Sequence, residues 1–168
     1  MPNDNSDRAH ERLRGIVGDW ATIGHVIGDP PVPVSGSDVY EVLPGGYFLV
    51  HHIDVTVGSE AVRAIEIIGE PAPQNGAFLA RSYDNQGNAE VMELTLDDEG
   101  VFHFSGGPDI APLAQPDNAS TARVRSTLTV ASDGESMSAL WERSEDGVNW
   151  APWMDMAFTR RQPRVDRQ

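Results

Sequence analysis

The sequence contains no cysteine and no lysine, so all 12 of its basic side chains are arginines. Without cysteine, the protein has no disulfide, no thiol nucleophile and no thiolate ligand for a zinc site or an iron–sulfur cluster. Without lysine, it cannot form a Schiff base with a carbonyl substrate. These two absences exclude several classes of enzyme and metal chemistry.

Positive charge and long apolar runs are also scarce. The 12 basic residues stand against 26 acidic ones, which gives a formal net charge of -14. A field of this sign repels phosphate backbones, so we expect no nucleic-acid partner. No apolar run approaches the roughly 20 residues of a membrane span, and residues 1–15 lack the apolar stretch of a secretory signal. We therefore expect a cytoplasmic protein with no membrane partner.

The chain of 168 residues is long enough for one domain with a single core. Ser6 to Val17 is predicted to be a short helix that Ser6 caps and Gly18 ends, because apolar residues recur there at helical spacing. We divide the chain into an N-terminal helical segment, 1–17, a β-barrel domain, 18–162, and a disordered tail, 163–168.

Apolar and polar side chains alternate with period two after Gly18, which predicts strands. Turn signals rich in Gly, Asn, Asp and Pro separate ten such stretches. The predicted strands are 19–27, 36–43, 46–57, 60–69, 76–83, 88–96, 100–105, 120–130, 135–143 and 149–160. Most connections are short enough for hairpins, so the sequence predicts an all-β, antiparallel up-and-down barrel of about ten strands. The connection 106–119 is long, and it either folds over one mouth of the barrel or is a solvated loop.

Gly18-Asp19-Trp20 opens the first strand, and Arg160 closes the last one. This pair resembles the calycin pattern of lipocalin-like barrels, in which a Gly-x-Trp places an indole at the closed end and an arginine of the last strand packs over it. A guanidinium can stack on an indole and donate hydrogen bonds to strand-end carbonyls. The resemblance implies a structural role in barrel closure for Trp20 and Arg160.

A closer resemblance covers nearly the whole chain. LPGGYFLVHH, then IIG followed by YDNQGNAE, then WERSEDGVNWAPWMDMAFTRR look like an uncharacterised bacterial family of lipocalin-like barrels. The matching positions are Gly45, Gly46, Tyr47, Gly69, Tyr83, Asp84, Ser144, Asp146, Gly147, Trp150 and Arg160. The family has no established general activity, so the resemblance implies a fold. A more distant similarity, at the level of the fold, is to nitrobindin, a haem-binding barrel, and to fatty-acid-binding proteins.

The face of the strands predicted to point inward is rich in methionine and aromatic side chains. Ten strands enclose room for a small ligand, and such walls suit apolar ligands. The candidate ligand-binding residues are His51, Tyr47, Met92, Phe104, Met137, Trp141, Met154 and Met156. The alternative is that the same side chains fill the barrel as an ordinary core.

The stretch YFLVHHIDV, residues 47–55, sets two histidines in an apolar run. Neighbours on a strand point to opposite faces, so they cannot both bind one metal ion. We place His51 inside, on the more apolar face, and His52 outside, in a surface pair with Asp54. His51 is a core histidine with a partner inside the barrel, a polar anchor for a ligand, or a general base or haem ligand.

The favoured function is the binding or carriage of a small, mostly hydrophobic molecule in the lumen, with no cofactor and no metal. One alternative is a barrel enzyme, such as an isomerase, cyclase or hydrolase, that uses His51 or Tyr83 as acid or base. Another is a haem-binding barrel. Arg63 and Arg81 are the strand arginines that we expect to reach a cavity.

Two further points concern the outer surface and the acidic residues. A homodimer is expected, because Phe48 and Trp153 would otherwise face water. Glu66 and Glu90 lie on strands, but chance pairs are expected among 26 acidic residues. The sequence therefore assigns no catalytic carboxylate.

Overall fold

The computed structural model describes residues 11–73, 76–107 and 122–162. Residues 11–13 are helical and lead into a 3-10 turn, η1, at Arg14–Ile16, and all the remaining regular structure is β. The strands are β1 Gly18–Val26, β2 Val32–Val42, β3 Leu49–Val57, β4 Glu60–Pro71, β5 Phe78–Asp84, β6 Ala89–Leu96, β7 Phe102–Gly106, β8 Arg123–Val130, β9 Ser136–Ser144 and β10 Ala151–Arg160.

The ten strands form one closed barrel. Each strand pairs antiparallel with its neighbours in sequence, and β10 returns to pair with β1, Trp20 opposite Arg160. Closure leaves no strand edge without a partner, which protects the long strands from edge-to-edge aggregation. The predicted all-β fold, an up-and-down antiparallel barrel of ten strands with a short N-terminal helix, is confirmed.

The starts of β2 and β3 differ from the predicted starts for identifiable reasons. β2 begins at Val32, four residues early, because it pairs with the whole of β1, whose last residue, Val26, lies opposite Val32. Proline has no amide hydrogen to give to a ladder, so the prolines at 30, 31 and 33 hide the strand pattern there. β3 begins only at Leu49, because the preceding turn extends to Phe48, whose carbonyl accepts a hydrogen bond from the amide of Leu43 at 2.8 Å.

Trp20 and Arg160 close one end of the barrel. The indole of Trp20 is completely buried and donates a hydrogen bond to the carbonyl of Ile16 at 3.0 Å. The guanidinium carbon of Arg160 lies 4.2 Å from the centre of this ring. Arg160 also donates hydrogen bonds to the carbonyls of Gly134 at 2.8 Å and Val17 at 3.1 Å. One side chain thus ties the last strand to the N-terminal turn and to the β8–β9 hairpin.

The other end of the barrel carries the long connection. Odd-numbered strands begin at the Trp20 end, so β7 finishes at the opposite end, where Gly106 pairs with Val124 on β8. Residues 108–121 of the connection lie outside the described residues, as do the predicted cap Ser6 and the tail 163–168. In the part of the chain that is described, no helix is long and apolar enough to cross a membrane.

Replacing Arg160 by alanine tests this closure. The substitution removes a stacked guanidinium and two hydrogen bonds to carbonyls, so we expect Arg160→Ala to lower the free energy of unfolding by about 2–4 kcal/mol. Arg161→Ala is the matched control, because Arg161 is exposed and its guanidinium lies 3.7 Å from Asp19; we expect a loss of at most about 1 kcal/mol. Urea unfolding measures the free energy of unfolding of both variants. Equal losses of stability in the two variants would contradict the structural role of Arg160.

Candidate functional site

The two adjacent histidines on β3 face opposite sides of the barrel wall. His51 is 6% exposed and lies on the same side as the buried Leu49 and Val55. The side chain of His52 is 47% exposed and lies outside. The prediction that His51 points inward and His52 outward is confirmed.

Both ring nitrogens of His51 contact carboxylates. Nε2 lies 2.7 Å from Oδ1 of Asp38 on β2, and Nδ1 lies 3.1 Å from Oε1 of Glu66 on β4. The register explains the contact with Glu66, which is directly opposite His51 on the neighbouring strand. Thr22 on β1 donates a hydrogen bond to the other oxygen of Asp38. Four consecutive strands therefore each contribute one polar side chain to the inner wall.

Tyr40 completes this group. Its ring stacks on the imidazole of His51, with centroids 3.8 Å apart and planes 11° apart. Tyr40 is 6% exposed, and among the residues that the structure describes no hydrogen bond to its hydroxyl is formed. Burial, and then the negative charges of Asp38 and Glu66, raise the pKa of the Tyr40 phenol well above its ordinary value. We call Thr22, Asp38, Tyr40, His51 and Glu66 the His51 cluster.

The contacts of His51 determine its charge. Burial alone would lower the pKa of the imidazole, but the hydrogen bonds to Asp38 and then Glu66, with the charges of both, raise it above its ordinary value. Ionised carboxylates only accept hydrogen bonds, so each ring nitrogen must carry a proton to satisfy both partners. The two contacts and the raised pKa of His51 together favour an imidazolium between the two carboxyl groups. Across residues 11–73, 76–107 and 122–162, no three His, Asp or Glu side chains form a group that could hold a metal ion.

Solvent reaches part of the inner wall beside the cluster. Ile53, two residues after His51, and Ala64, opposite Ile53 on β4, face inward yet are partly exposed. On the opposite side, the inward Leu128 and Ala139 are buried. Inward residues are thus buried at some positions and partly exposed at others, at Ile53 and Ala64 on β3 and β4 and at Trp141 and Met154 on β9 and β10.

Seven of the eight predicted ligand-binding residues lie on the inner wall. Four of them besides His51 are buried in the core, and two are partly buried, nearer the open end. The buried ones are Met92, Phe104, Met137 and Met156, and the partly buried ones are Trp141 and Met154. Their contact with a ligand stays a prediction.

Tyr47 differs from its expected position. It lies in the turn before β3 and is 59% exposed, because strand alternation starts only at Leu49. Tyr83, the other tyrosine considered for acid–base chemistry, is 57% exposed on the outer surface. The tyrosine that reaches the interior is Tyr40, which precedes the turn and lies opposite His51.

Charged side chains of the outer face find partners on neighbouring strands. His52 lies 3.7 Å from Glu41, and Asp54 lies 3.3 Å from Arg63, so the predicted His52–Asp54 pair is wrong. Asp54 and Arg63 are directly opposite each other on β3 and β4, whereas Glu41 is a diagonal neighbour of His52 on β2. Arg81 pairs with Glu70 at 2.7 Å, and neither Arg63 nor Arg81 points into the lumen.

The aromatic residues that suggested a dimer are less exposed than expected. Phe48 is partly buried, and so is Trp153. The guanidinium carbon of Arg143 lies 3.3 Å from the centre of the Trp153 ring, and Trp141 meets the same ring edge-on at 6.3 Å. Exposed aromatic side chains at these two positions therefore give no reason for a dimer, and the homodimer stays a prediction.

Comparisons with known proteins support the fold. No family model matches the chain, and the search of curated proteins finds no match. The chain is similar to the solved structure of Rv2717c from M. tuberculosis, with a TM-score of 0.62 and 15% identity over 92% of this chain and 98% of that chain. This likeness is consistent with a lipocalin-like barrel, and at 15% identity it shows the fold alone. The resemblance to the uncharacterised bacterial family stays a prediction.

The charge of His51 makes stability depend on pH. Because its pKa is raised on folding, its stabilising effect is fully present below the ordinary value of 6.5 and is lost as pH rises through the raised value. We therefore expect the difference in unfolding free energy between the wild type and His51→Gln to shrink as pH rises from about 6 to 9.

At the low end of that range His51→Gln is expected to cost about 3–5 kcal/mol, because it leaves two buried carboxylates without their cation. His52→Gln is the adjacent control on the outer face, and it should cost less than about 1 kcal/mol at every pH. Urea unfolding across the range measures all three proteins. A constant difference between the wild type and His51→Gln would contradict an imidazolium at His51.

Proposed function

We propose that the protein binds or carries a small, mostly hydrophobic molecule in the barrel lumen, with the polar end of that molecule at the His51 cluster. The observation that supports this most strongly is the partial exposure of Ile53 and Ala64 on the inner wall of a closed barrel. Both are apolar and both adjoin the cluster in the strand register. An apolar, accessible wall with a few convergent polar groups is typical of small-molecule sites.

The depth of the cluster supports a site that can hold a molecule in one orientation. Asp38 lies opposite Trp20, the residue that closes the barrel, and its other neighbour in the register is Ile53. The cluster is therefore just above the closed end, and the apolar wall extends from it toward the open end. A molecule with one polar end would lie with that end deepest and its apolar part along Ile53 and Ala64.

A second candidate is an acid–base enzyme, and the same cluster favours it, because perturbed titratable groups gather at active sites. His51 is badly placed to be the acid or base, since both of its nitrogens already contact carboxylates. The second oxygen of Glu66 and the hydroxyl of Tyr40 are the atoms left to meet a substrate. An enzyme of this barrel would use Glu66 as the base, with His51 as a positioning residue.

Haem does not fit at His51. An iron bound through Nε2 would displace Asp38 from its 2.7 Å contact, and one bound through Nδ1 would displace Glu66. Either displacement leaves a buried carboxylate unpaired, which costs several kcal/mol, about 3–5 where one partner of a buried pair is lost. The resemblance to nitrobindin therefore gives no support to a haem at this position.

A neutral environment-sensitive dye, Nile red, tests binding in the lumen. We expect saturable fluorescence enhancement with the wild type. Ala64→Phe, which places a ring on the inner wall beside Ile53, should weaken binding by about tenfold or more, as expected when a bulky group fills a cavity. Ala61→Phe is the matched control, because Ala61 is on the same strand but faces outward and is exposed.

Equal affinity of Ala64→Phe and Ala61→Phe for Nile red would indicate binding outside the lumen. The absence of any saturable dye site would contradict the proposal. Native mass spectrometry of freshly purified protein extends the test to molecules acquired in the cell. Recovery of such a molecule unchanged after incubation in deuterated water supports binding or carriage. Incorporation of deuterium at a carbon atom supports the enzyme, because it requires acid–base chemistry.

A further inference from the structure

The His51 cluster carries an unbalanced charge. Asp38 and Glu66 both contact the single imidazolium of His51, so with both carboxylates ionised one negative charge is left over. Within the described ranges no arginine forms an ion pair or hydrogen bond with Asp38 or Glu66. The other side chains around the pair are neutral: Thr22 bonds Asp38, and Ser82 lies opposite Glu66 on β5. A buried net charge is costly unless something compensates it.

One carboxylate oxygen of the cluster is available to bind a positive group that would compensate this charge. Asp38 uses one oxygen for His51 and the other for Thr22. Glu66 uses only Oε1, and in the described part of the chain its Oε2 accepts no hydrogen bond. The side chain of Glu66 is 12% exposed, and Ala64, two residues before it on the same face of β4, is also partly exposed. Tyr40 is 6% exposed, its hydroxyl has no hydrogen bond to any residue that the structure describes, and the charges of both carboxylates raise its pKa.

We propose that the lumen selects a small apolar amine, bound as an ammonium ion at Oε2 of Glu66; this inference rests on the function proposed above. An ammonium group supplies the missing positive charge and donates a charge-assisted hydrogen bond to a carboxylate, which is about twice as strong as a neutral one. A second N–H of the ammonium has an acceptor in the Tyr40 hydroxyl. The apolar part of the amine lies along Ile53 and Ala64.

The charge of the whole protein favours the same class of ligand. A net charge of -14 gives a negative field that attracts cations and repels anions on their way to the barrel. A carboxylate ligand would be repelled again at the cluster. An alcohol could bond both Glu66 and Tyr40, but it would leave the negative charge uncompensated.

A matched series of ligands tests the inference. Octylamine, 1-octanol and octanoate share an eight-carbon chain and differ at the polar end, and each competes with Nile red for the wild-type lumen. We expect octylamine to bind about tenfold or more tightly than either other compound, a difference of about 1.4 kcal/mol. Equal affinities, or tighter binding of octanol, would overturn the inference. Tighter binding of octanoate would also overturn it.

Glu66→Gln locates the ammonium. It removes the charge but keeps the shape, so octylamine should bind about tenfold more weakly while octanol changes by less than about twofold. Glu41→Gln is the control, since Glu41 is exposed on the outer face of β2, and it should alter neither affinity. Unchanged octylamine binding to Glu66→Gln would overturn the inference.

The outcomes separate this inference from the function on which it rests. If Nile red binds and the three compounds compete equally, the lumen is a ligand site and the amine preference is wrong. If neither the dye nor any compound binds, the proposed function itself is wrong. Should Glu66→Gln fail to fold, as judged by circular dichroism, the wild-type ligand series alone decides.

Discussion

A protonated imidazole between two buried carboxylates determines the charge of the inner wall. His51 lies on β3, and its partners Asp38 and Glu66 come from the strands on either side. Replacing a buried ion pair by apolar side chains is often neutral or stabilising, so such a group is weak evidence for a role in stability. Among the described residues the cluster leaves one carboxylate oxygen and one hydroxyl without a hydrogen bond, and the proposed ligand would use both.

The rest of the barrel determines what surrounds the His51 cluster. Trp20 and Arg160 close the end nearest the cluster and tie the last strand to the first. Leu128 and Ala139 pack one side of the lumen, whereas Ile53 on the β3 side is partly exposed. In the proposed function, a small molecule lies along Ile53 and Ala64 and meets the His51 cluster next to the closed end.

Much of the fold could be predicted from the sequence, because strand alternation and turn residues are local signals. They gave ten strands, their order and the inward position of His51. Trp20 and Arg160 could be paired because they open the first strand and close the last, which meet in a closed barrel. The start of β2 was missed where prolines interrupt the pattern, and Tyr47 was misplaced because alternation was extended into a turn.

The partners of His51 could not be predicted, because they depend on register between strands, which no local pattern reveals. Glu66 is one of 26 acidic residues, and only its place opposite His51 distinguishes it. Asp38 is neither the cross-strand neighbour of His51 nor close to it in sequence. Cross-strand pairing also explains why Arg63 and Arg81 bind carboxylates on the outer surface.

The central claim is that His51 is an imidazolium whose two nitrogens face carboxylates, and ring-nitrogen NMR tests it most directly. Long-range proton–nitrogen correlation spectra distinguish a doubly protonated ring from either neutral tautomer, and His51→Gln assigns the signal. We predict that both nitrogens of His51 carry protons at about pH 7, above the ordinary histidine pKa. A neutral His51 ring at that pH, with one nitrogen unprotonated, would contradict the charged cluster and the selection of a cation by the lumen.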